Sequence, residues 1–198
     1  TASEYVQIGR FSYRAASLPG VYDSGSAKTG DPIFLKATCQ VNLRFDYSLG
    51  GDVPKDVKGR ISLRAESRDT NGWTRTFPLA SETEFSGNQA AVEALLNPCD
   101  ILTSLRESES KTELHRQIYN LILLPEVKFS GTVSGQPVDV LFTPRLLFYL
   151  DDYQMYVMSE GTDADPLAPY KVEKASLQGS IPNMIQLPGF SIPVRYAR

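Results

Sequence analysis

The chain has 198 residues, 41 % of them apolar and 22 % charged, with a net charge of −3. This composition is that of a globular protein and excludes a disordered chain. Arg60, Arg64, Arg68 and Arg75 are spread among apolar and neutral neighbours; with no basic block, nucleic acid is excluded as an expected partner.

A chain of this length buries enough surface to fold as one domain, and residues 1–198 are read as one. The longest apolar run, Leu121 to Pro125, ends at Glu126, far short of the ~20 residues that span a bilayer. The first residues are Thr1-Ala2-Ser3, with no Met. The expectation is a mature or trimmed terminus, with targeting or anchoring segments lying outside this stretch.

Taken in chain order, Gly25-Ser26-Ala27-Lys28-Thr29-Gly30 has a superficial likeness to a phosphate-binding loop. Ala27 stands where the key Gly belongs, and Asp31-Pro32 follows in place of a helix. It reads as a surface loop. Residues 39–49 then alternate without a break: Cys39, Val41, Leu43, Phe45, Tyr47 and Leu49 are apolar or aromatic, and every even residue is polar. Strand side chains point alternately to opposite faces, so this is a long strand with one dry face, central in a sandwich. Residues 60–66 put Ile61, Leu63 and Ala65 on one face. Asn71-Gly72 supplies the residues of a tight hairpin turn, and 73–79 is the returning strand.

Residues 89–96 are compatible with a helical turn or a strand. Asn97 is a good N-cap, Pro98 suits the first helical position, and Asp100 puts negative charge in the first turn. These predict one short α-helix over 98–108, fading near Ser108 to Ser110, with Ile101, Leu102 and Leu105 as its apolar face. Tyr119, Leu121, Leu123, Val127, Phe129 and Val133 share one parity. Pro125 interrupts them and predicts an edge position or a bulge. Gly135-Gln136-Pro137 reads as a turn, Val138, Val140 and Phe142 resume the alternation, and Leu146, Phe148 and Leu150 continue it. Asp151-Asp152 reads as a turn before a strand over 153–158, residues 161–169 as a loop, and 171–178 as a strand. Ile192 and Val194 alternate near the end. Together the elements predict a mainly β fold, an antiparallel β-sandwich with one short helix.

Chemistry is sparse. His115 is the single histidine, and no Gly-x-Ser-x-Gly elbow presents a nucleophile. Two cysteines 60 residues apart and one histidine do not make a zinc site, and Asp151-Asp152 and Asp163-x-Asp165 resemble no EF-hand. No cofactor is expected. Glu66, Glu84, Glu126 and Asp139 lie on or near predicted strands, mostly on the polar parity; a carboxylate-dependent hydrolase and a glycan- or calcium-binding module are the alternatives they leave. Trp73, beside the turn, is the first residue to consider in a binding surface. Cys39 and Cys99 leave two readings open: two buried thiols, or a disulfide closing a loop worth roughly 4 kcal/mol.

Several segments, in order, resemble an uncharacterised family of archaeal and bacterial membrane-anchored proteins, domain of unknown function family 5305. They are Phe11-Ser12-Tyr13-Arg14-Ala15, Val21-Tyr22-Asp23, Gly30-Asp31-Pro32-Ile33-Phe34-Leu35, Val41 to Tyr47, Asn71-Gly72-Trp73, Phe129-Ser130-Gly131, Phe142-Thr143-Pro144-Arg145-Leu146 and Ile192-Pro193-Val194. The resemblance implies an extracytoplasmic domain held by flanking membrane segments, with no known activity and no catalytic residues to carry over. The cysteines are not part of that pattern. The resulting expectation is a non-enzymatic domain of a membrane-anchored protein that binds or scaffolds an unidentified surface or secreted protein.

Overall fold

A computed structural model describes residues 3–161, 164–175, 184–187 and 190–193. In chain order the strands are β1 (Ser3–Ala16), β2 (Ser26–Lys28), β3 (Ile33–Phe34), β4 (Val41–Gly51), β5 (Lys55–Arg68), β6 (Thr74–Ser86) and β7 (Gln89–Leu96). The helix α1 (Pro98–Thr112) comes next. After it run β8 (Tyr119–Val133), β9 (Gln136–Phe142), β10 (Leu146–Leu150), β11 (Gln154–Val157), β12 (Tyr170–Ala175), β13 (Met184–Leu187) and β14 (Phe190–Pro193).

Among the described residues β1 to β12 form two antiparallel sheets, and β13 and β14 pair with each other as a separate two-stranded antiparallel sheet. Of the two larger sheets, one runs β12-β1-β4-β7, with β2 also on β1; the other runs β3-β11-β10-β8-β5-β6, with β9 also on β8. The alternation in β4 puts Val41, Leu43, Phe45, Tyr47 and Leu49 in the core, facing Ile61, Leu63, Ala65, Leu121, Leu123, Val127 and Phe129 of the other sheet. The Tyr47 ring meets Phe129 and Phe142 across the sandwich, and Tyr13 meets Phe148. Burying each such side chain stabilises the fold by roughly 1.5–3 kcal/mol. Among the described residues the architecture is the expected mainly β, sandwich-like fold with one helix.

Several local features differ from the sequence expectation. The strand β4 begins at Val41, and Cys39 lies in the loop before it. Residues 89–96 are a strand. The stretch 25–30 is not all loop, because Ser26–Lys28 pairs with β1. The turn before β9 is Ser134-Gly135, both at positive φ (50° and 79°), so Gln136 and Pro137 already belong to the strand. Two positive φ values match the twist of a two-residue hairpin. Nor is Pro125 at a sheet edge. It pairs with Leu63 of β5, and on its other side β8 passes from β10, ending at Leu123, to β9, starting at Val127. The register is unbroken across that gap, so Pro125 stands opposite Pro144. Two residues without N–H groups share the place where the ladder is open.

The helix starts as expected: Asn97 Oδ1 accepts from the Asp100 N–H. It runs on to Thr112, four residues beyond 108, and closes on Glu113 in the left-handed region. The extension is explained by Glu109, which is 3 % exposed and anchors the last turn. The strand β1 had no clear sequence signal, because Gln7 and Gly9 occupy its buried parity. Gln7 accepts there from the Tyr47 hydroxyl and donates to Glu173. Residues 176–178, and most of 181–198, lie outside the described residues.

Candidate functional site

Ionisable residues are distributed in pairs and ladders. On the outer face of β5 and β8, Arg68, Glu66, Arg64, Glu126 and Lys128 form a continuous run of ion pairs. Burial pushes the Glu66 carboxyl up, but hydrogen bonds and charge from Arg68 and Arg64 outweigh it, so it sits below the usual carboxylate range. At the end of α1, Glu109 accepts from Arg106 and from the Arg116 N–H. Burial raises its pKa, and Tyr119, Arg106 and Arg116 together bring it below the usual value. A general acid needs the opposite shift.

A groove of about 870 Å³ opens on the outer face of β6, β5, β8 and β9, lined by Lys58, Arg60, Lys128 and the carboxylates Glu84 and Asp139. Glu84 is on β6 and Asp139 on β9, three strand spacings apart. Their backbones are thus separated by about 14 Å. Glu84 also pairs with Arg60. Among the described residues no group of three His, Cys, Asp or Glu side chains is arranged to hold a metal. His115 is exposed in the loop after α1. Asp151 caps the turn to β11 by accepting from the Tyr153 and Gln154 N–H groups, and Asp152 pairs with Arg106. Asp165 accepts from the Leu167 N–H, while Asp163 lies outside the described residues.

Trp73 is half-buried, and the Arg116 guanidinium covers one face of its ring at 5.2 Å. Arg116 is held in turn by Asp69, so the ring is packed into the hairpin base. Gly72, at φ 89°, makes the turn, and Asn71 Oδ1 accepts from the Trp73 N–H. Cys39 and Cys99 are joined, with their Cα atoms 5.5 Å apart, and the bond ties the loop before β4 to the first turn of α1.

Sheet edges can also recognise another chain, since edge strands carry unpaired N–H and C=O groups. Most are blunted. β2 and β3 are three and two residues long. The β12 edge carries Lys171, Glu173 and Lys174, and β9 carries Pro137 and Asp139. The β6 edge has Pro78, Glu82, Glu84 and two register shifts against β5. By contrast, β7 has no Pro, keeps one register along β4, and carries the single charge Glu93, which Arg44 neutralises at 2.6 Å. Among the described residues β7 pairs with β4 alone.

The phase of its ladder is fixed. Leu49 N–H donates to the Asn88 C=O, so Ala90, Val92, Ala94 and Leu96 turn their backbone groups to β4. On the far side of the same sheet, Gly9 and Phe11 N–H donate to Pro169 and Leu167, as this phase requires. Gln89, Ala91, Glu93 and Leu95 therefore present their N–H and C=O groups outward. No sequence pattern marks β7 as an edge, because its neighbours are set by topology. Comparison with protein-family models, with curated proteins and with solved structures finds no match for this chain.

Proposed function

We propose that this chain is a non-enzymatic extracytoplasmic domain of a membrane-anchored protein that binds or scaffolds another protein at the cell surface. The observation that carries the proposal is the open edge of β7, where an extended segment of a partner adds to the sheet by main-chain hydrogen bonds. The paired, down-shifted carboxylates Glu66 and Glu109 fit a binding role better than acid–base catalysis. An oxidising location is supported by the Cys39–Cys99 bond, and the membrane-anchored setting rests on the resemblance of short segments to family 5305. None of the described helices is long and apolar enough to cross a membrane.

The test is capture from cell-surface extracts with an edge variant. Ala91→Pro removes one outward N–H and leaves the ladder to β4 intact. The expected outcome is a partner held by the wild type and lost with Ala91→Pro at an unchanged melting temperature. Equal capture by both proteins would overturn β7 as the binding edge.

A further inference from the structure

We infer that the segment accepted by β7 is β7 of a second copy of this chain, joined antiparallel about a twofold axis to make one continuous sheet. This rests on the reading of β7 as a binding edge and goes beyond it by naming the occupant. Self-pairing brings the same surface to both sides, so the strand must complement itself. The outward groups belong to Gln89, Ala91, Glu93 and Leu95, and hydrogen-bonded pairs must be drawn from these four. Two registers bring the most residues together. One places Glu93 against Glu93 of the second copy, which like-charge repulsion disfavours. The other places Glu93 against Ala91, Gln89 against Leu95, and Val92 against itself in a non-hydrogen-bonded pair.

In that register no charge stands directly opposite its twin; the two Glu93 are diagonal neighbours, about 7–8 Å apart. The side chains on the exposed face are then Gln, Ala, Glu and Leu, with Glu93 of each copy already held by its own Arg44. Leu95, 55 % exposed in the single chain, gains cover. On the inner face the copies bring together Ala90, Val92 and Ala94. The β6 strand is the last of the opposite sheet and is joined to β7 by Gly87-Asn88 alone, so it lies on the same side of the sandwich. Its inward Phe77, Ala80 and Phe85 are only partly buried, and a second copy seated at β7 covers them further.

The register makes residue 91 the reporter, since it stands against Glu93 of the second copy in both symmetry-related pairs. Sedimentation equilibrium of the oxidised protein, with melting followed by circular dichroism, is the measurement. The wild type is expected to show a reversible monomer–dimer equilibrium. Ala91→Lys tightens it and Ala91→Glu weakens it, each by about tenfold in Kd, while Ala91→Pro is monomeric and melts like the wild type at dilutions where the wild type is itself monomeric. A wild type that stays monomeric at millimolar concentration, or a dimer indifferent to all three substitutions, overturns the inference. A monomeric wild type that still captures a surface protein through an edge sensitive to Ala91→Pro fails the second-copy assignment alone. A monomer that captures nothing fails the binding edge as well.

Discussion

The two strands β6 and β7 follow one another, end opposite sheets, and manage their free edges in contrary ways. Along β6 there is a proline, two acidic side chains facing solvent, and a pair of irregularities that twist the strand away from a straight template. Along β7 the register is regular and the one charge is neutralised from the neighbouring strand. Natural sheets blunt edges that must stay single. The difference teaches that the same side of the sandwich holds one closed edge and one left available.

The helix α1 supports both strands, and its two ends separate them. Its first turn, just after β7, is fixed by the Cys39–Cys99 bond. Replacing both cysteines by serine is expected to cost about 4 kcal/mol. Amide exchange should then quicken first at the end of β7, with β6 less affected; uniform loss of protection would show that the two edges share one support. The last turn of α1 is fixed by Glu109 beside Arg106 and Arg116, and Arg116 holds the base of the β5–β6 hairpin through Asp69. Here Glu109→Gln is expected to cost about 3 kcal/mol, because it strips the charge from a buried pair, and to loosen the start of β6 before β7.

The same carboxyl sets a pH dependence. Its folded pKa lies below the unfolded value, so the stabilisation is present above the unfolded pKa and is lost as pH falls through the folded one. Glu66 acts in the same direction. Acid unfolding should begin below about pH 4, and the pH slope should shrink in Glu109→Gln. A slope unchanged in that variant would assign the effect to other carboxylates. The smallest effect on stability, about 0.5 kcal/mol, is expected from opening β6 by Pro78→Val, Glu82→Thr and Glu84→Thr together. In solution the change should be larger: light scattering should report association that persists when Ala91→Pro is added, so that β6 has become a second template.

Much of the fold was legible where burial and period agree. The strand from Val41 on, the parity of Ile61, Leu63 and Ala65, and the Asn97-Pro98 helix start each have a local cause, so the residues alone announced them. The strand β1 was illegible because Gln7 is buried only by virtue of Tyr47 and Glu173, residues distant in sequence. Trp73 stood beside its turn as a candidate binding residue, and a loop residue, Arg116, covers one face of its ring. The two cysteines were ambiguous because spacing does not state proximity. The β7 edge could not be read at all: its composition resembles that of any half-buried strand, and being last in a sheet is a property of the strand order.

By itself, then, the sequence determined the regular strands with their dry faces, the start of the helix and the lack of a basic block along the chain, because side-chain period and charge act locally. Only the tertiary structure decided which strands became neighbours, which carboxylates found arginines, where two prolines were brought opposite each other, and which edge stayed open. Those outcomes depend on contacts between residues far apart in the chain, whose pairing no local pattern encodes.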